Sequence, residues 1–406
     1  MSHKPAVRFL DRTTPPHIMT LVLITGTSAM VMNMFLPSLP AMTEYFGTDY
    51  GVMQLSVALF LGANGALQLI VGPLSDRFGR RPVLLAGFAL FMLATLGCIY
   101  APTAEVFLLF RMAQAAVVVA MVLSRAVVRD MVPAEQAASM IGYVTMGMSL
   151  VPMISPAIGG ALDEAFGWKA NFWVFFFAGA AAFWLIWRDL GETNTRRATS
   201  FGQQLREYPE LLMSPRFWGY CMAAAFASGA FFAYLGGAPF VGATVFGMSP
   251  STLGYFFGAP AVGYMAGNFL SGRYSMRLGI NRMILWGSGV SLAGGVAALA
   301  LFEAGLGSAA VFFGAMVLVG LGNGMVLPNA NSGMLSVRPH LAGSASGLGG
   351  AIMIGGGAAL SALAGSLLSP ESGAFPLLWI MAIVLALSLA AIGLVIARER
   401  QKGIAR

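Results

Sequence analysis

The sequence predicts an all-α integral membrane protein of twelve transmembrane helices, arranged as two pseudo-symmetric bundles of six. Three observations support this fold class. Of the 406 residues, 58% are hydrophobic and only 10% are charged, whereas a soluble domain carries about 25% charged residues. Apolar runs of about 20 residues, the length of a helix that crosses a bilayer, recur along the chain. The second half of the chain also repeats features of the first.

The apolar runs set the limits of twelve spans. These are 17–40, 52–74, 83–101, 106–128, 138–162, 171–187, 217–240, 252–274, 283–302, 308–329, 341–368 and 375–397. They divide the chain into an N-terminal six-helix bundle (1–187), a polar linker on the membrane surface (188–216) and a C-terminal six-helix bundle (217–406). An even number of spans puts both termini on the same side of the membrane.

The basic residues predict the orientation. All 23 Lys and Arg residues lie in the N-terminal arm, the even-to-odd loops or the C-terminal tail, except Arg111 inside span four and Lys169 in an opposite loop. Because cytoplasmic loops are enriched in Lys and Arg, we expect both termini in the cytoplasm. The net charge of +7 therefore reflects membrane orientation, and we expect no nucleic-acid partner.

The same charged turn occurs twice. Gly72–Pro82 lies between spans two and three, and Gly272–Arg282 lies between spans eight and nine, with Gly79 and Gly279 among the coinciding positions. We interpret each segment as a short loop at the cytoplasmic face. Two six-span repeats of the same orientation place a substrate pathway on the axis between them.

No motif of a soluble enzyme is visible. The three histidines form no plausible triad or metal set, and the glycine-rich stretches of span eleven lack the Lys-Ser/Thr of a phosphate loop. Cys98 and Cys221 lie in apolar runs without metal or disulfide spacing. We therefore predict no catalytic residue, no cofactor and no metal.

The first charged turn resembles the signature between spans two and three of the major facilitator superfamily. The matching residues are Gly72, Asp76, Arg77, Gly79, Arg80 and Arg81. The resemblance implies the major facilitator fold and a gating role for these residues. Asp76 would accept hydrogen bonds from an arginine at the cytoplasmic end of span four, with Arg129 as the candidate, and hold the halves together there. The alternative is that the arginines serve topology alone.

Further stretches resemble the 12-helix drug:proton antiporters. Arg111–Gln114 in span four is similar to their arginine motif. Pro152–Gly160 in span five is similar to their antiporter motif, whose prolines and glycines bend the helix and allow close packing. Met32–Pro40 in span one most resembles the Bcr/CflA group. Members of that group export phenicols, bicyclomycin and other lipophilic drugs in exchange for protons.

The chain departs from that group at Asn33. The group carries an aspartate there, at which proton and drug are thought to compete, whereas an asparagine does not titrate. None of the 16 acidic residues lies in the middle of a span. Three explanations remain open: an engineered neutral mimic of the protonated aspartate, a natural residue with the coupling elsewhere or absent, or a misalignment despite the Pro37 and Pro40 anchors.

Asn33 and Arg111 lie at similar depths. At 1.5 Å per residue, Asn33 is about 10 Å and Arg111 about 9 Å below the outer face. We expect them to meet across the cavity, because an arginine in hydrocarbon must find oxygen partners. The candidate partners are Gln114, the Asn33 carbonyl and backbone oxygens near Pro37. The alternative is that Arg111 only braces spans one and four.

Residues near this depth outline an apolar substrate site. The predicted substrate-binding residues are Asn33, Arg111, Met30, Met34, Phe60, Met148, Ser149, Phe231, Tyr234, Leu235, Phe257 and Met353. Methionine suits a promiscuous pocket because its flexible thioether repacks around different ligands. For each residue taken alone, simple packing or lipid contact is the alternative.

The sequence therefore predicts a multidrug efflux transporter and not an enzyme. We expect a monomer in the bacterial inner membrane that exports small lipophilic drugs such as phenicols by drug/proton antiport. Its partners would be the drug, protons and the lipid bilayer. The alternatives are an exporter of sugar or amino acid metabolites and a membrane protein that binds without transporting.

Overall fold

The structure is a computed structural model that describes residues 7–131, 140, 151–152, 154–194, 209–338 and 341–401, with the side chains of 342–344 left aside. Within these residues, ten helical runs are long and apolar enough to cross a membrane. They are Ile18–Phe46, Tyr50–Phe78, Arg80–Ile99, Ala104–Met131, Lys169–Asp189, Pro215–Val245, Ile280–Glu303, Ala309–Val337, Ala345–Leu367 and Phe375–Gln401. They match ten of the twelve predicted spans in order.

The other two predicted spans are also helical where they are described. Residues 154–166 form the later part of span five. Its earlier part, with Met148 and Ser149, lies outside the described residues. Span eight consists of two helices, Pro250–Phe256 and Ala259–Leu278. The architecture is therefore consistent with twelve spans.

The two charged segments are helix ends and not loops. The helix Tyr50–Phe78 continues through Pro73, and the next helix begins at Arg80, so that only Gly79 turns the chain, with φ at 98°. Gly279, with φ at 83°, makes the same turn in the second half. Positive φ is accessible to glycine because it has no Cβ. The eleven-residue loops expected from the sequence were wrong in length, since charge and proline there do not interrupt the helix.

Spans two and eleven define the two ends of the molecule. Gln54 contacts Ser361, whereas Gln68 lies beside Gly350. The two spans therefore run antiparallel, and the Gly79 turn lies at the same end as the start of span eleven. Both chain termini lie at this end, which we call the terminal end. The opposite end is the distal end.

A buried carboxylate closes the N-terminal bundle at the terminal end. Asp189, at the end of span six, is fully buried. Its oxygens accept hydrogen bonds from the Leu10 backbone N–H at 2.6 Å, the His17 backbone N–H at 2.9 Å and the Thr20 hydroxyl at 2.6 Å. This ties span six to the chain that enters span one.

A second carboxylate does the same in the C-terminal bundle. Glu399, at the end of span twelve, is 7% exposed. It accepts hydrogen bonds from Asn281 Nδ2 at 2.6 Å and the Tyr220 hydroxyl at 3.4 Å, and it forms a salt bridge of 2.7 Å with Arg216. Spans seven, nine and twelve meet here.

The distal end is closed by hydrogen bonds between the two halves. The Tyr50 hydroxyl of span two donates to the Gly236 carbonyl of span seven at 2.7 Å, and Gln54 Nε2 donates to the Ser361 hydroxyl of span eleven at 2.7 Å. Gln54 is fully buried. A Cβ on either Gly236 or Gly365 would collide with it, so the two glycines form the slot that holds its amide.

A reciprocal contact between spans five and eight also closes the distal end. A Cβ at Gly160 would collide with the Pro250 carbonyl oxygen, and a Cβ at Gly254 would collide with the Pro156 carbonyl oxygen. Each span thus presents a proline followed four residues later by a glycine. The small residues let the two backbones touch directly, as in other close helix pairs in membranes.

Candidate functional site

Arg111 lies in the interior of the N-terminal bundle and is 0% exposed. Its guanidinium donates to Gln114 Oε1 at 2.7 Å, to the Val31 carbonyl at 2.9 Å and to the Ser56 carbonyl at 3.3 Å. The acceptors belong to spans four, one and two. Because a buried charge is stable only when its hydrogen bonds are satisfied, these contacts fix the position of Arg111.

Two aromatic rings seal the guanidinium. Its central carbon lies 4.2 Å from the centroid of Phe35 and 4.1 Å from that of Phe60. A cation over an aromatic face is stabilised by the ring quadrupole, more strongly when water is excluded. Gln114 extends the contacts to span three by donating to the Thr95 hydroxyl at 2.8 Å. Arg111 thus joins four spans of one bundle.

These contacts correct the partners expected for Arg111. Gln114 is a partner as predicted, but the two backbone acceptors are those of Val31 and Ser56. Neither the Asn33 carbonyl nor the backbone near Pro37 accepts a hydrogen bond from the guanidinium. Depth along the helix was a sound guide, whereas the direction of a long side chain depends on packing. Phe35 and Thr95 were missed, because on helices they look like ordinary packing residues.

Asn33 is the last residue of the first helix, Ile18–Asn33, and is 4% exposed. Its Nδ2 donates to the Ala29 carbonyl at 2.8 Å, one turn earlier. An ionised carboxylate has no hydrogen to donate and cannot make this contact. The amide therefore behaves at this position as a protonated carboxyl group would.

The C-terminal bundle places an aromatic cluster around Tyr234. The ring of Tyr234 lies 5.0 Å from Phe257, 6.2 Å from Phe312 and 6.4 Å from Phe231, measured between centroids. Tyr234 is 1% exposed, and its hydroxyl has no hydrogen-bond partner in the described part of the chain. A buried hydroxyl without a partner is costly unless a ligand or water supplies one.

The structure brings together some of the predicted site residues. Phe231, Tyr234 and Phe257 contact one another, and Phe60 contacts Arg111. The remaining described residues differ in burial: Met34 and Leu235 are buried, whereas Met30 and Met353 are partly buried and pack against separate apolar clusters. Phe312, in the predicted span ten, was not anticipated, because its ring is indistinguishable in sequence from a lipid-facing one.

The Gly79 turn carries a charged network at the terminal end. Arg80 forms salt bridges with Asp76 at 2.6 Å and with Asp130 of span four at 3.2 Å. This corrects the expected pair, because Asp76 is bonded to Arg80 and not to Arg129. The basic partner lies in the turn itself and the acidic one at the end of span four. Arg77 is exposed, with its guanidinium carbon 5.2 Å from the centroid of Phe78.

The segment after span six completes this network. The Glu192 carboxylate accepts hydrogen bonds from the backbone N–H groups of Arg80 at 2.9 Å and Arg81 at 3.2 Å. These are unsatisfied donors at a helix N-terminus, where a negative charge is favourable. Asn194 Nδ2 donates to the carbonyls of Ser75 at 3.4 Å and Asp76 at 3.1 Å. All of these contacts lie within residues 72–194, so in this conformation the network does not join the halves.

Comparison with known proteins decides the family. The model of the Major Facilitator Superfamily matches residues 21–361. The chain belongs to this superfamily. It is accordingly a multi-pass membrane transporter and not an enzyme, and the resemblance seen in the Gly72–Pro82 segment is confirmed.

Several curated facilitators are similar over most of their length. A chloramphenicol resistance protein of Pseudomonas aeruginosa is 32% identical over 323 residues, which are 78% of this chain and 76% of the relative. A bicyclomycin resistance protein homolog of Haemophilus influenzae is 26% identical over 92% of this chain and 94% of the relative. Multidrug resistance protein D of Escherichia coli is 27% identical over 88% and 89%.

A solved facilitator structure has the same fold. It is a bacterial homolog of the human lysosomal transporter Spinster, described as inward-facing and occupied. The match has a TM-score of 0.71 at 16% identity and covers 94% of this chain and 96% of that one. At this identity the likeness concerns the fold alone.

Proposed function

We propose that this facilitator exports small, uncharged lipophilic drugs, phenicols among them, from the bacterial cytoplasm across the inner membrane. The observation that carries the proposal is the complete internal use of Arg111. Its three acceptors and two covering rings leave no free charge for a charged metabolite. The buried polar group that still lacks a partner, the Tyr234 hydroxyl, is neutral and is surrounded by aromatic rings. The resistance proteins among the relatives support the same substrate class.

The proposed cycle is alternating access by a monomer, driven by proton antiport. The Lys and Arg distribution supports a cytoplasmic terminal end. The closed distal end then corresponds to a conformation that receives drug from the cytoplasm. Arg111 braces the N-terminal bundle as a rigid body, and the contacts of Tyr50, Gln54, Gly160 and Gly254 must part for release on the other side. The 72–194 network keeps the turn and span four together during this movement.

Transport into everted vesicles tests the function. Vesicles containing this chain should accumulate chloramphenicol or florfenicol under an imposed pH gradient, and an ionophore that collapses the gradient should abolish the accumulation. Binding without accumulation would support a non-transporting protein. Accumulation of sugars or amino acids in preference to phenicols would overturn the proposal.

Tyr234→Phe tests the contact that the structure leaves open. Loss of one hydrogen bond of about 1 kcal/mol should weaken phenicol binding roughly fivefold, with little change in folding because the hydroxyl has no protein partner. Tyr255→Phe is the matched control, since Tyr255 is 77% exposed. Ligand-induced thermal stabilisation measures both variants. Equal affinities in Tyr234→Phe and the parent would remove Tyr234 from the site.

Asn33→Asp tests the neutral amide. The parent chain should bind phenicols with weak pH dependence, whereas the variant should bind them with steeper dependence from mildly acidic to mildly alkaline pH. The reason is that a carboxyl loses its hydrogen-bonding proton as the pH rises, whereas the amide does not. Equilibrium binding in detergent measures the difference. A steeper dependence in the parent would contradict the assignment.

A further inference from the structure

One buried carboxyl group has no role in the contacts described above. Asp163 is 7% exposed, and its Oδ2 has no hydrogen-bond partner among the described residues. It belongs to none of the salt bridges formed by those residues. A buried ionised carboxylate normally has a cation or several donors, because the desolvation cost is otherwise high.

The hydrogen-bond inventory around Asp163 is short of donors. Asn171 Nδ2 uses both hydrogens, on the Ser38 hydroxyl oxygen at 3.0 Å and the Gly159 carbonyl at 3.2 Å. Because a carbonyl only accepts, the amide cannot be turned the other way. The single hydrogen of Ser38 can be donated to the Asp163 carboxyl. Asp163 Oδ2 and Asn171 Oδ1 are then both left as buried acceptors without a donor.

The surroundings supply no compensating charge. Glu164, on the same helix, is exposed and of like charge, and Glu44, on the helix after span one, is also exposed. Lys169, at the start of span six, donates instead to the Tyr45 hydroxyl at 3.0 Å. The first helix of span eight, Pro250–Phe256, contributes Tyr255 as its one ionisable residue, and that side chain is 77% exposed.

Asp163 lies at the seam between the halves. Pro156, Gly160 and Asp163 are spaced by four and three residues and therefore share one face of the helix 154–166. The first two contact span eight across the seam. The 3₁₀ turn Leu36–Ser38, which carries Ser38, also packs against Pro250–Phe256. Separation of the halves at the distal end would therefore admit water to this carboxyl.

We propose that Asp163 is a proton-binding site that is occupied while the distal end is closed and is emptied when that end opens. A proton on Oδ2 converts an acceptor without a partner into a donor and removes the buried charge. Water at the opened seam solvates the carboxylate, and the proton returns to the medium on that side. Acid at the distal side thus stabilises the closed end. Asp163 follows the predicted span five, and burial raises the pKa of its carboxyl, the Ser38 hydroxyl lowers it and Glu164 raises it further.

Infrared spectroscopy of the purified full chain in lipid tests the site. The parent should show the C=O band of a protonated carboxyl that disappears on titration to alkaline pH. Asp163→Asn should lack this titrating band, whereas the control Glu164→Gln should retain it. Ser38→Ala should shift the titration to higher pH, because it removes a donor to the ionised form. An unchanged band in Asp163→Asn would overturn the proposal.

Distance measurements connect the proton to opening. Spin labels on cysteines introduced at the exposed positions Glu105 and Glu371 report the separation of the halves at the distal end. The parent and Glu164→Gln should show a larger open population at alkaline pH, and Asp163→Asn should stay closed at every pH. An identical pH response in Asp163→Asn would overturn the link. The inference rests on the proposed function only for the existence of two conformations, so absence of phenicol flux with an intact infrared titration would refute the transport proposal alone.

Discussion

The buried carboxylates at the two ends of the molecule differ in how many donors they have. At the terminal end, Asp189 and Glu399 each have three donors. At the distal end, Asp163 has an oxygen with none. A carboxylate with a full set of donors stays ionised and fixes helices together, whereas one without them favours the protonated form. The same residue type therefore serves architecture at one end and responds to pH at the other.

The largest effect is expected for Asp189→Asn. The amide presents an NH₂ group to donors that need an acceptor, so two of the Leu10, His17 and Thr20 donors lose a charged partner. We expect a loss of about 3 kcal/mol of stability. Thermal unfolding in detergent measures it, with Asp49→Asn, at an exposed helix N-cap without a side-chain hydrogen bond, as the control. Equal unfolding temperatures would show that the three contacts contribute nothing.

A smaller effect is expected for Glu399→Gln. The side chain of Arg216 is 33% exposed and can exchange its partner for water. Gln keeps one acceptor for Asn281 or Tyr220, so we expect a loss of about 1 kcal/mol. The same unfolding assay applied to Arg216→Met and to the double variant isolates the pair. Additive losses would mean that the salt bridge is not coupled.

The smallest effect is expected for Asp163→Asn. At mildly acidic pH its stability should lie within about 0.5 kcal/mol of the parent, because the amide is as neutral as the protonated acid. A carboxyl whose pKa is raised in the folded state contributes stability at low pH and loses it as the pH rises through that value. The parent should therefore become less stable than the variant at alkaline pH. Parallel stability curves across pH would contradict this.

The sequence was a good guide to the spans and a poor guide to the ends of helices. Apolar length predicted the order of the helical runs, and the repeat predicted the paired turns at Gly79 and Gly279. It did not predict that Tyr50–Phe78 continues through Pro73, since a proline can be accommodated within a helix at a cost the sequence does not reveal. Nor did it predict the partner of Asp76, because both Arg80 and Arg129 have suitable charge.

The site was partly predictable for a related reason. Depth along a helix placed Arg111 in the interior, and Gln114 followed from its spacing of three residues. The acceptors on Val31 and Ser56 are backbone atoms with no signature in the sequence. Asp163 stood among the acids beside outer loops. Its burial follows from the packing of Ser38 and Asn171, which are distant in sequence.

The hydrogen bonds of Glu192 and Asn194 have a mechanical consequence. The connection between the bundles is held at the Gly79 turn, so the length free to extend begins after Asn194 and not at the end of span six. Fourteen residues, 195–208, remain before the helical residue 209, a tether of at most about 50 Å. A displacement of the second bundle that draws this tether tight exerts force two residues from the carboxylate that caps span three.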